Sequence, residues 1–228
     1  MTTAVKICGI TNEAALDAAL AAGADYVGLV FFPKSPRNLD ITRARSLRER
    51  VPRGGPCKTV ALVVDASDEQ LAEIMREVDP DLVQLHGHET PERVAAIRAS
   101  FGKPVLKAIP VSSAADVAAG LDYLSPGLLA DIVLFDAKPD PAAVLPGGNG
   151  LAFDWHILEG LAGRTSFALA GGLNPENVAE AIARTGAAIV DVSSGVESKP
   201  GCKEPGLIRR FLKAAKGAKQ GATGAPAR

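Results

Sequence analysis

The chain of 228 residues is short of several things, and each shortage narrows what it can be. Aromatic residues make up 4 %, with a single tryptophan. Charge of neither sign dominates: 25 Lys and Arg stand against 26 Asp and Glu, a net charge of −1. A nucleic-acid partner would require a basic face, so none is expected. No apolar run reaches the ~18 residues of a membrane-crossing helix. The segment leading into "AVKICGI" has neither the basic stretch nor the long apolar core of a secretory signal, so no membrane association is expected. Cysteine is scarce: Cys8, Cys57 and Cys202, an odd number, far apart and without a CxxC pair. That argues against a disulfide framework and against a metal site, and for the reducing cytoplasm.

What is present is ordinary globular material, 47 % hydrophobic and 22 % charged, arranged with unusual regularity. Short aliphatic runs recur from end to end: "VKIC" (5–8), "YVGLVF" (26–31), "TVALVV" (59–64), "LVQL" (82–85), "VLKA" (105–108), "IVLFD" (132–136), "FALA" (167–170) and "AIVDV" (188–192). Runs of four to six such residues are what strands buried on both faces require. Helical patterns lie between them. Ser67 stands three residues before Gln70 as a capping box, and Thr90–Pro91 and Asn174–Pro175 each put a cap before a proline at the first helical position. Eight βα units without a domain linker predict an α/β single-domain (βα)8 TIM barrel over residues 1–216, with a disordered small-residue tail at 217–228. A doubly wound open sheet is the runner-up, but "CGITNEA" after the first run is neither GxGxxG nor a P-loop.

A barrel carries its chemistry at the C-terminal ends of its strands. Gly171 and Gly172 after strand 7, with Ser193, Ser194 and Gly195 after strand 8, offer backbone amides where such folds bind phosphate, although tight turns alone would also use glycine. Asp136 closes an apolar strand. Desolvation there would raise its pKa and suit it to donate a proton; the alternative is an ion pair with Lys138. Cys8 lies two residues from Lys6, on the same strand face, so an inward lysine would favour the thiolate, with Asp191 as the partner of that lysine. A buried filler is the competing role for Cys8. Arg37, on a loop stiffened by Pro33 and Pro36, suits either carboxylate recognition or plain solvent exposure. His86 either orients a neighbour or is a satisfied core imidazole. His88 and His156 join no metal-ligand cluster.

Together "KICGIT" (6–11), "GLVFFPKSPR" (28–37), "VQLHG" (83–87), "GGNGLAFDW" (147–155), "GGLNPENV" (171–178) and "DVSSGVESKPGCKE" (191–204) resemble the phosphoribosylanthranilate isomerase family, in order and over nearly the whole chain. The resemblance implies an Amadori rearrangement in tryptophan biosynthesis, run without cofactor or metal on a small phosphosugar-anthranilate substrate. It implies Cys8 as base, Asp136 as acid, Arg37 for the anthranilate carboxylate, and the glycine and SSG loops for phosphate, with His86 and Asp191 also at the substrate. Monomer and homodimer both remain open. Three departures from the family's pattern are Leu151–Ala152 in place of a polar pair, Asp65 for an asparagine, and Glu204 for an aspartate. The rival isomerase of histidine biosynthesis would have aspartates where this chain has Cys8 and Lys107–Ala108, and a barrel that only binds phosphate would need neither Cys8 nor Asp136.

Overall fold

The computed structural model describes residues 2–124, 130–138, 147 and 153–218. Eight parallel strands, β1 (Ala4–Cys8), β2 (Tyr26–Phe31), β3 (Lys58–Val63), β4 (Leu82–Leu85), β5 (Val105–Val111), β6 (Ile132–Ala137), β7 (Phe167–Leu169) and β8 (Ile189–Val192), close into a barrel in sequence order. β1 pairs with both β2 and β8, which sets Cys8 opposite Gly28 and Lys6 opposite Asp191. The expected barrel is the observed one.

Helices cover the outside: α1 (Glu13–Ala21), α2 (Ile41–Glu49), α3 (Asp68–Glu77), α4 (Pro91–Phe101), α5 (Ala114–Leu121), α6 (Val178–Thr185) and α7 (Pro205–Gly217). Their apolar stripes meet the outward faces of the strands in one continuous core; in α7 the stripe is Ile208, Phe211, Leu212 and Ala215. Inside the barrel the packing is smaller and layered. Leu106, Ala108, Leu134, Ala168, Ala170 and Ile189 form one cluster, and Cys8, Val30 and Leu62 form another toward the mouth.

The caps behave as side-chain chemistry dictates, with two differences. Ser67 and Thr90 accept from the amides three residues on, but the reciprocal pair of a capping box forms at Ser113–Asp116 instead. Asn174–Pro175 does not open a helix. The Asn174 side chain accepts from the amides of Glu176 and Asn177, closing a turn that delays α6 to Val178. The sixth unit also departs from expectation: among the described residues its helix is a single 3₁₀ turn at Trp155–Leu158. An antiparallel hairpin, β9 (Glu197–Lys199) with β10 (Cys202–Lys203), follows β8 as an addition to the eight expected units. Leu151, Ala152 and the tail from 219 lie outside the described residues. No helix among the described residues is long and apolar enough to cross a membrane.

Candidate active site

The C-terminal ends of the strands surround one cavity, on whose wall Cys8, Arg37, His86, Asp136, Gly171, Gly172, Asp191, Ser193 and Ser194 meet. All of these are candidates by sequence. Gly195 stands behind the wall: a Cβ on it would fall 1.9 Å from the Leu173 carbonyl oxygen.

β1 delivers Lys6 and Cys8 to the interior together. Lys6 is fully buried and its ammonium donates to Asp191 Oδ2 at 2.9 Å, the pairing expected from a closed barrel. Lys6 favours the Cys8 thiolate, as expected, but it does not prevail. Burial pushes the Cys8 thiol up, and the attraction of Lys6 does not offset it because Asp191 lies on the same ammonium. Burial also works against charge on Lys6, but the ion pair with Asp191 outweighs it, so its pKa rises. The resting pair is therefore ammonium and neutral thiol. Gly28 makes their adjacency possible: a Cβ there would lie 2.9 Å from Cys8 Sγ and 3.3 Å from Lys6 Nζ.

Arg37 is 5 % exposed, which removes the solvated reading. Its Nε and Nη2 donate to the two carboxylate oxygens of Glu197, each at 2.8 Å. A planar fork does recognise a carboxylate here, but one edge of it is committed to the protein's own. Gly9, at φ +80°, accommodates the arginine chain, since a Cβ would meet Arg37 Cδ at 2.5 Å. Glu197 also accepts from Lys203 at 2.7 Å, and Lys203 in turn donates to the Ser193 carbonyl at 3.0 Å. Ser193 Oγ donates to the Cys8 carbonyl at 3.2 Å. The hairpin thus ties Arg37 to the strand that bears the thiol. Burial brings the Lys203 ammonium down to about 8 despite Glu197.

Across the cavity, Asp136 is met at both oxygens. Oδ1 accepts from the Ala137 amide at 2.9 Å, and Oδ2 lies 3.3 Å from His86 Nε2. The alternative partner, Lys138, approaches Asp116 instead, at 3.9 Å. His86 is oriented on its other nitrogen by Gln84, whose Nε2 lies 3.0 Å from Nδ1. Gly147 sits against this pair, where a Cβ would come within 2.7 Å of His86 Nε2.

The two phosphate-candidate loops expose donors. The amides of Gly172, Ser194 and Gly195 have no acceptor among the described residues. Asn177 fixes the first loop by donating to the Gly172 carbonyl at 3.0 Å. Asp65, at φ +48°, occupies a left-handed position that asparagine and aspartate both tolerate, and its carboxylate turns to His88 rather than to the cavity. Glu204 caps α7 by accepting from Leu207 N, as the shorter aspartate would. No group of three or more His, Cys, Asp and Glu among the described residues could hold a metal.

The sequence model of the family described as N-(5′-phosphoribosyl)anthranilate isomerase matches residues 5–214. The chain belongs to the N-(5′-phosphoribosyl)anthranilate isomerase family. A member from Paramagnetospirillum magneticum is 56 % identical over 217 residues, covering 95 % of this chain and 99 % of the relative. Another, from Cereibacter sphaeroides, is 53 % identical, covering 93 % and 98 %. Among solved structures, phosphoribosyl anthranilate isomerase of Thermotoga maritima superposes with a TM-score of 0.82 at 35 % identity, over 95 % of this chain and all of that one. A phosphoribosyl anthranilate isomerase in complex with reduced 1-(o-carboxyphenylamino)-1-deoxyribulose 5-phosphate gives 0.80 at 34 % identity, with the same coverage. The chain is therefore an enzyme, of an isomerase family.

Sequence reasoning missed Gly28, Gln84, Glu197 and Lys203. Two of them carried a signal. Gly28 interrupts a strand of large apolar residues, and Gln84 is the only polar residue in "LVQL". Glu197 and Lys203 look like surface charges until the hairpin folds them onto Arg37.

Proposed function

We propose that the chain isomerises N-(5′-phosphoribosyl)anthranilate to 1-(2-carboxyphenylamino)-1-deoxyribulose 5-phosphate, an Amadori rearrangement of tryptophan biosynthesis, using its own side chains as acid and base. The observation that carries this reading is a thiol on β1 and a carboxylate on β6 facing one cavity. Asp136 protonates the furanose ring oxygen and opens the ring to a Schiff base. Cys8 takes the proton from C2′, and the enolamine that results tautomerises to the ketone. Cys8 acts as thiolate in that step; its burial opposes the ion, and Lys6 and Lys203 are the charges that favour it.

The remaining residues bind. Backbone amides of Gly172, Ser194 and Gly195 suit the phosphate, with Gly171 and Ser193 shaping the two loops. Arg37, held by Glu197, suits the anthranilate carboxylate. Asp191 keeps Lys6 beside the thiol and faces the sugar, and His86 holds Asp136. Residues 1–216 form the catalytic unit, which works in the cytoplasm as a monomer or homodimer; the Thermotoga maritima relative is described as dimeric. Purified protein mixed with phosphoribosylanthranilate should abolish that compound's fluorescence. Persistence of the fluorescence at substrate saturation would refute the assignment.

A further inference from the structure

Gln84 has no place in the mechanism so far, and its surroundings give it one. It is fully buried on the inner face of β4 and reaches the cavity wall. Its Nε2 lies 3.0 Å from His86 Nδ1, while its Oε1 has no hydrogen-bond partner among the described residues. A buried amide with an idle oxygen costs free energy in this orientation. The same side chain, turned half a revolution about its last bond, would put that oxygen on Nδ1 instead.

The two orientations impose different proton positions on the next two groups. With the amide nitrogen donating, Nδ1 must accept, so the ring proton is on Nε2, which faces Asp136 Oδ2 at 3.3 Å. Asp136 is then a carboxylate. With the amide oxygen accepting, Nδ1 must carry a proton. The second proton of the pair then lies between Nε2 and Oδ2, as imidazolium with carboxylate or as imidazole with carboxylic acid. The second arrangement holds one proton more than the first. That proton is the one an acid at Asp136 gives to the ring oxygen.

We propose that Gln84 is a positioning residue whose amide turns its oxygen to His86 when the His86–Asp136 pair is loaded with the proton and its nitrogen when the proton has been given away. The proposal rests on Asp136 being the acid. No other group among the described residues competes for Nδ1. The titratable and charged side chains elsewhere on the cavity wall are Cys8 on β1, Asp191 on β8 and Arg37 after β2. Behind β4, Glu89 and Lys107 are paired with each other at 2.7 Å, and Asp65 is paired with His88 at 3.0 Å.

The test reads the imidazole nitrogens of ¹⁵N-labelled protein, which has three histidines to assign. Gln84→Glu offers only oxygen and should place a proton on His86 Nδ1 throughout, whereas the wild type should show Nδ1 protonated while the pair is loaded and unprotonated once raising the pH has removed that proton. Gln84→Met offers neither group and covers the case in which a carboxylate buried at this position prevents folding. It should lose the tautomer preference of His86 and lower kcat roughly tenfold, a part of the ~10²–10⁴ that a placed acid contributes, with KM within about threefold of wild type. Identical His86 signals and unchanged kcat in Gln84→Met would overturn the proposal. The nitrogen signals need no turnover. Full activity in Asp136→Asn, with His86 still responding to Gln84, would therefore defeat the acid assignment separately.

Discussion

On the β1–β8 side of the cavity, Cys8 lies among buried ion pairs: Lys6 with Asp191, and beyond them Lys203 and Arg37 with Glu197. On the β4–β6 side, Asp136 lies among groups that can gain, lose or turn a proton, namely His86 and, through it, Gln84. The two sides are asked for opposite things. A thiol that must ionise out of water needs a cation beside it, which the buried Lys6 ammonium supplies. A carboxyl that must hold a proton and then release it needs neighbours whose hydrogen bonds can reverse. On the proposed mechanism, paired charge around the base and reversible donors around the acid would be the division of labour in this barrel.

The largest effects should come from removing the reacting groups themselves. Cys8→Ala and Asp136→Asn should each lower kcat by ~10²–10⁴ with much smaller changes in KM, measured from the fluorescence loss of the substrate. Activity near wild type in either variant would dissolve the contrast between the two sides.

Breaking the paired charge comes next. Lys6→Met leaves Asp191 buried and unpaired and should cost about 3–5 kcal/mol in urea unfolding. Lys6→Met combined with Asp191→Asn should recover a large part of that, because no uncompensated ion remains. Strict additivity of the two changes would show that the pair is not a unit.

A smaller effect is expected at Arg37. Its proposed substrate contact is remote from both proposed proton transfers, so Arg37→Lys should raise KM about tenfold or more while sparing kcat, since an ammonium keeps the charge and loses the fork. A fall in kcat alone would mean that the arginine serves the thiol through Glu197 and Lys203 rather than the substrate.

The last is a pH effect, read as a slope across a window. Lys203 falls from 10.5 to about 8 on folding. Between those values the unfolded chain keeps a proton that the folded chain has released, so this group adds stability as pH rises, by up to about 1.4 kcal/mol per pH unit. The stability difference between wild type and Lys203→Met should be flat below pH 8 and grow in favour of wild type toward pH 10.5. A difference that stays flat through that window would place Lys203 outside the buried group.

The contrast between the two sides is only half legible in the sequence. Strands buried on both faces must be aliphatic runs, and seven of the eight end within one residue of where those runs do. β5 is the exception, continuing to Val111 through Pro110, which reads as a terminator because it has no amide to donate. Candidate positions follow from strand ends in the same way, and so does the Lys6–Asp191 pair, since barrel closure makes β1 and β8 neighbours. What surrounds each group does not follow. Arg37 meets Glu197 across 160 positions of chain, and no local pattern encodes that. The balance at Cys8 escapes the sequence for a related reason: spacing reveals the nearby lysine, but the burial that outweighs it exists only after the barrel has closed.

The roles of Cys8 and Asp136 can be separated by one measurement, the isotope effect on turnover of substrate carrying deuterium at C2′. Cys8→Ser weakens the base, so breaking the C2′ bond becomes more fully rate-limiting and the isotope effect should rise above that of wild type. Asp136→Asn weakens the acid, so ring opening limits and the effect should fall toward unity. The opposite pattern, a larger effect in Asp136→Asn and none in Cys8→Ser, would exchange the two assignments and contradict the account.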